Sequence, residues 1–152
     1  MTHRKTVAAL LALGLTAASA QAVAEGGHSK AIDYRNSIMS ILKWNMGPMG
    51  AMVKGEVPYD EAAFARHAAD LNAAAHLDLL SGFPEGSDQG DDTGARIDIW
   101  LDWEGFRNKH ESFKTATAEL AETAKTGDLN AIKGKFGAVG KGCKSCHDAF
   151  KD

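Results

Sequence analysis

Apolar residues recur at helical spacing along most of this chain, and clusters of Pro and Gly at Gly55 to Pro58, Ser81 to Thr93 and Thr126-Gly127 divide it into four blocks. In the first, from about Ser29 to Lys54, residues Ile32, Met39, Leu42, Met46, Met49 and Val53 fall three and four apart, which predicts a helix. Pro48 lacks the amide that would bond the Trp44 carbonyl, so a kink is expected there and not a break. In the second block Asp60 reads as an N-cap after Pro58, and Phe64, Ala68, Leu71 and Ala75 form one face of a helix reaching Leu80. The segment SGFPEGSDQGDDTG is the only long loop. A third helix is expected from about Ala95 to Lys125, with Trp100, Trp103, Phe106, His110, Phe113, Leu120 and Ala124 on a broad apolar stripe. Gly127 ends it and Asp128 caps the fourth, where Leu129, Ile132, Phe136, Val139, Cys143, Cys146 and Phe150 make a strict bundle seam. No segment shows sustained two-residue alternation. The expected fold is all-α, an antiparallel up-down-up-down four-helix bundle.

At 152 residues, with 44% apolar and 24% charged, the chain suits one domain and excludes a multidomain enzyme. No lysine or arginine run tracks a phosphate backbone, which argues against a nucleic-acid partner. Residues 1–24 combine a basic start at Arg4 and Lys5, an apolar stretch from Val7 to Leu15 and small residues ending in Ala22-Val23-Ala24, the pattern of a secretory signal peptide; Ala18-Ser19-Ala20 is a second cleavage signal. The apolar stretch is far short of the roughly 20 residues a membrane span needs. Cleavage after Ala24 leaves a domain of residues 25–152 and removes two basic residues and no acidic one. That leaves 15 against 20, a charge of −5. The expected protein is exported, soluble and acidic, with no membrane insertion after cleavage, as suits a bacterial periplasm.

The chemistry sits at the C-terminal end. Cys143-Lys144-Ser145-Cys146-His147 is a C-x-x-C-H haem attachment sequence. On a helix, Cys143 and Cys146 are three apart and His147 is four from Cys143, so all three project from neighbouring turns on one side. Two thiols can then form thioethers to one porphyrin while the adjacent imidazole reaches the iron. Because both cysteines lie on the helix seam, the macrocycle is expected inside the bundle. Other readings remain: a dithiol redox pair, which normally opens a helix after a strand in an α/β fold; a zinc site, for which His28, His67, His76 and His110 are scattered; and a disulfide closing a trivially short loop. Only five residues follow His147 and no methionine lies beyond Met52, so any distal ligand must come from an upstream helix.

The terminal C-K-S-C-H-D-A-F-K together with the early Y-R-N-S-I-M resembles the cytochrome c′ family, the class II c-type cytochromes. The resemblance covers residues 25–152 and implies a four-helix bundle with one haem c bound through Cys143 and Cys146. It further implies that His147 is the axial iron ligand, that Lys151 is the basic group beside it, and that Arg35 lies near a haem propionate. Met39 matches the position facing the distal side, as steric plug or sixth ligand, and Phe106 matches a pocket aromatic. The residues themselves also permit plainer readings: Arg35 as a solvated charge, Met39, Met46, Met49 and Met52 as flexible core filling, Trp100, Trp103 and Phe113 as core, and Asp88 to Asp92 as a solvated loop.

Two coordination states imply two functions. With Met39 unbonded, a five-coordinate, high-spin haem with apolar distal walls takes small neutral diatomics, nitric oxide and carbon monoxide; the G-P-M-G-A-M-V-K-G-E-V-P-Y-D stretch resembles this branch. With the Met39 sulfur on iron, the protein is a low-spin electron-transfer cytochrome of the c-556 type. No nucleophile, paired carboxylate or second metal converges on the site, so an electron carrier or gas-binding protein is expected and not an enzyme. The resemblance also implies redox partner proteins and a homodimer formed through the first two helices, with the methionine-rich first helix serving the interface.

Overall fold

The computed structural model describes residues 18–90 and 92–152, and side chains from His28 onward; most of the expected signal segment lies outside the described residues. Four helices form the bundle: α1 (Ala18–Lys54), α2 (Glu61–Ala75), α4 (Trp103–Ala124) and α5 (Leu129–Phe150), with a one-turn helix α3 (Asp98–Leu101) ahead of α4. α1 packs on α2, α2 on α4 and α4 on α5. Among the described residues the only β pairing is an isolated bridge between Ala95 and Lys151. No described helix is long and apolar enough to cross a membrane.

The caps act where the sequence puts them. The Asp60 carboxylate accepts the Ala63 amide at 2.9 Å, and that of Asp128 accepts the amides of Asn130 and Ala131. Between α4 and α5, Gly127 turns with φ +69°, a left-handed conformation that suits glycine. α1 runs unbroken past Pro48 to Lys54.

Two expected helices end differently. The second stops at Ala75 and not at Leu80: the His76 amide closes on the Ala73 and Ala74 carbonyls, and Asp78 then caps a separate 3₁₀ turn, Leu79–Gly82. That turn presses on α1 so closely that a Cβ on Gly82 would lie 2.9 Å from the Arg35 Cβ. The third expected helix is broken at Asp102, whose side chain leaves the helix pattern to accept the Gly105 amide at 3.0 Å and cap α4. A short polar side chain able to bond the backbone locally competes with helix continuation, and here it wins.

The core joins all four helices through Ile38, Met49, Phe64, Leu71, Phe106, Leu120, Ile132 and Val139, each buried. Met49 and Met52 are buried, and Met39 and Met46 pack against the core from half-buried positions. The methionines of α1 therefore face inward, contrary to the expectation that they serve an interface; its outer face carries Tyr34, Ile41 and Trp44 instead.

Candidate functional site

The last turns of α5 present two half-buried thiols, Cys143 and Cys146, packed against the core, and the exposed imidazole of His147. Both cysteines are free. Burial raises both thiol pKa values, most directly at Cys143; at Cys146 nearby Lys109 opposes the rise. These are neutral thiols at pH 7, poorly suited to dithiol exchange, which works through a stabilised thiolate. The helix end is pinned: Arg96 donates its amide to the Phe150 carbonyl, Asp152 to that of Gly94, and the amide of Lys151 to that of His147. The Lys151 ammonium, one turn past His147, is exposed and donates to the Asp152 carbonyl.

Across the bundle, Arg35 is 3% exposed, so it is not a solvated charge. Its Nη1 donates to the Gly82 carbonyl at 2.9 Å and the Ser87 hydroxyl at 2.8 Å, and its Nη2 to the Ser87 carbonyl at 2.6 Å and the Thr93 hydroxyl. The guanidinium also lies 4.6 Å over the Phe83 ring. Burial pulls its pKa down and Asp88 opposes this; an arginine starts so high that it stays charged. Among the described residues it forms no ion pair, so a buried positive charge is held by dipoles alone. The long loop that reads as solvated is thereby tied to α1, with Asn36 Nδ2 adding a bond to the Asp92 carbonyl.

Phe106 is buried between Phe83 and Phe150, with ring centroids 4.9 and 5.3 Å away and edge-on geometry. Trp103 lies 5.6 Å from it, and Trp100 Nε1 donates to the Phe83 carbonyl. Arg35, Phe83, Phe106 and Phe150 therefore form one continuous layer joining α1, the loop, α4 and α5. Met39 sits one turn further along α1. His67 binds Asn45 and His76 binds the Asn72 carbonyl, so both are structurally engaged. Sequence reasoning missed Phe83, Ser87 and Thr93 as Arg35 partners; the small polar residues within a loop otherwise rich in acids were the available signal.

This arrangement fits a covalently held porphyrin: two inward thiols in helical register, an exposed imidazole beside them, an aromatic wall and a buried cation without a carboxylate. It does not fit zinc, since no described group of three or more His, Cys, Asp and Glu could hold a metal ion. The family model for Cytochrome C′ matches residues 30–151. The chain belongs to the cytochrome c′ family. The cytochrome c′ of Halomonas halodenitrificans is 48% identical over 126 residues, covering 80% of this chain and 95% of that one. Among solved structures, cytochrome c prime from Shewanella frigidimarina is 41% identical with a TM-score of 0.79, covering 82% of this chain and 96% of its own. A nitric oxide complex of a mutant cytochrome c prime from Alcaligenes xylosoxidans is 33% identical with a TM-score of 0.74, covering 82% and 96%. As a member of the cytochrome c′ family the chain carries one covalent haem c, and Cys143 and Cys146 are its only cysteines.

Proposed function

We propose that this cytochrome c′ works in the bacterial periplasm, after removal of residues 1–24, as a five-coordinate, high-spin haem protein that takes up nitric oxide and carbon monoxide. When bound, the haem supplies an iron that accepts small ligands and exchanges single electrons. His147 is the axial ligand. Met39 plugs the opposite side without bonding, Arg35 neutralises a propionate with its one uncommitted N–H, at Nε, and Phe106 with its aromatic neighbours excludes water.

The observation that carries this reading is the asymmetry of the site. His147 is exposed, whereas Met39, Phe106 and both thiols pack against the apolar core. A cofactor held by the thiols with His147 on one face turns its other face to largely apolar walls, which favour neutral diatomics over anions because an anion there loses its hydration. The nitric oxide complex of a similar protein supports the choice of gas. The test is the ferric optical spectrum of the holoprotein, with and without Met39→Ala. High-spin iron in both, with faster and tighter carbon monoxide binding in the variant, is expected. A low-spin wild type that turns high-spin on Met39→Ala would instead make Met39 the sixth ligand and the protein a c-556-type electron carrier.

The same proposal includes a homodimer through α1 and α2. Their outer face exposes Ile41, Trp44 and Leu77, of which Trp44 is 75% exposed, around a groove of about 450 Å³ that also includes Asn45, His67 and Asp70. Exposed apolar clusters of this kind mark interaction surfaces. Redox partners would approach the end of α5, where His147 and Lys151 are exposed.

A further inference from the structure

His110 is 8% exposed, and neither of its ring nitrogens has a hydrogen-bond partner; no other buried side-chain nitrogen or oxygen among the described residues is left so. Buried polar groups in native proteins are nearly always paired, so an idle imidazole in a core points to something that it meets when the protein is complete. The Ala75 carbonyl at the end of α2 lies beside the ring but outside hydrogen-bond geometry. The charged groups facing the ring are Lys114 and Glu111 on its own helix and His76 on α2. Burial, reinforced by Lys114, lowers its pKa, so the ring is neutral at pH 7 and offers one donor and one acceptor.

The register of α4 against α5 fixes the level of this ring. Phe106 meets Phe150 edge-on, Lys109 Nζ donates to Ser145 Oγ at 2.6 Å, and Phe113 lies against Gly142, where a Cβ would come within 3.7 Å of it. By these pairs, His110 falls at a level of α5 between Cys143 and Cys146, beside Ser145. His110 is buried on α4 and both thiols pack against the core from α5, whereas His147 is exposed.

We propose that His110 is the polar group of the haem pocket, donating its N–H to an acceptor atom of a small ligand held on the core-facing side. This rests on the open coordination site argued above and names the class of ligand it favours: small molecules with a hydrogen-bond acceptor at their outer end, for which cyanide is the probe. His110 gives the otherwise apolar wall one oriented donor, so such ligands recover part of the hydration they lose on entry.

The test uses the holoprotein with His110→Leu and His110→Gln, titrated optically with cyanide in the ferric state and carbon monoxide in the ferrous state, and by the infrared C–O stretch of the carbon monoxide complex. His110→Leu should weaken cyanide binding about tenfold, the scale of a lost hydrogen bond to a charged group. It should also raise the C–O stretching frequency, with carbon monoxide affinity within about twofold. Gln keeps an N–H and should restore most of both effects. Unchanged cyanide affinity and C–O stretch in His110→Leu would make the ring a plain core residue and overturn the proposal. A low-spin wild type converted to high-spin by His110→Leu would also overturn it, since His110 would then itself bind the iron. The same substitutions in a Met39→Ala background keep the core-facing side open whatever Met39 does. An unchanged cyanide affinity there defeats the His110 assignment alone, and a low-spin wild type relieved by Met39→Ala defeats the coordination reading alone.

Discussion

Replacing Arg35 with Leu removes the side chain that makes four of the hydrogen bonds tying the 82–93 loop to α1. The Gly82 and Ser87 carbonyls, both in buried residues, then lose the donors at 2.9 and 2.6 Å, and no neighbouring side chain supplies others. The Ser87 and Thr93 hydroxyls can rotate towards other partners, so the carbonyls set the cost, about 1–3 kcal/mol for each orphaned group. Part of this is regained because the leucine needs no desolvation of a buried charge. The net loss should be about 3 kcal/mol, which lowers the melting temperature of a domain of this size by on the order of 10 °C. Arg35→Lys should recover less than half, because an ammonium keeps the charge but not the planar fork that reaches four acceptors. Thermal unfolding of the holoprotein followed by circular dichroism supplies the number. A Leu variant melting within about 3 °C of wild type would mean that the loop is held by its own turns and by Asn36, and that the buried guanidinium contributes little.

Expressed with a c-type maturation system, the protein should have the mass of residues 25–152 plus one haem that resists acid-acetone extraction; an apoprotein with a Cys143–Cys146 disulfide from the same host would reject covalent attachment. If Arg35 faces a propionate, Arg35→Leu removes a positive charge near the ring, favours the ferric state and lowers the midpoint potential by some tens of millivolts, with about 40 mV corresponding to 1 kcal/mol for one electron. A potential that is unchanged or rises in redox titration would mean that the Arg35 charge is spent wholly on the loop. Trp44→Glu on the outer face of α1 should shift sedimentation from dimer to monomer with little change in melting of the monomer, and a variant that stays dimeric would move the interface elsewhere.

Much of this protein was legible without coordinates because it depends on neighbours in the chain. A helix stripe repeats every three to four residues, an N-cap acts on amides two or three residues away, and C-x-x-C-H is a local pattern. Hence the α5 seam from Leu129 to Phe150, the caps at Asp60 and Asp128 and the attachment motif could all be read directly. The break at Asp102 is local too, yet periodicity runs through it from Trp100 to Phe106, and only the structure shows the carboxylate taking the Gly105 amide. What sequence could not supply are relations between distant residues. Arg35 meets acceptors 47 to 58 positions away, and whether an arginine on a helix edge is solvated or caged depends on where a loop lands. His110 reads as one more member of an apolar stripe, and its lack of a partner exists only once the end of α2 has closed over it. Those are decisions of packing, in which the cost of burying a charge or an imidazole is set by every chain segment that reaches it.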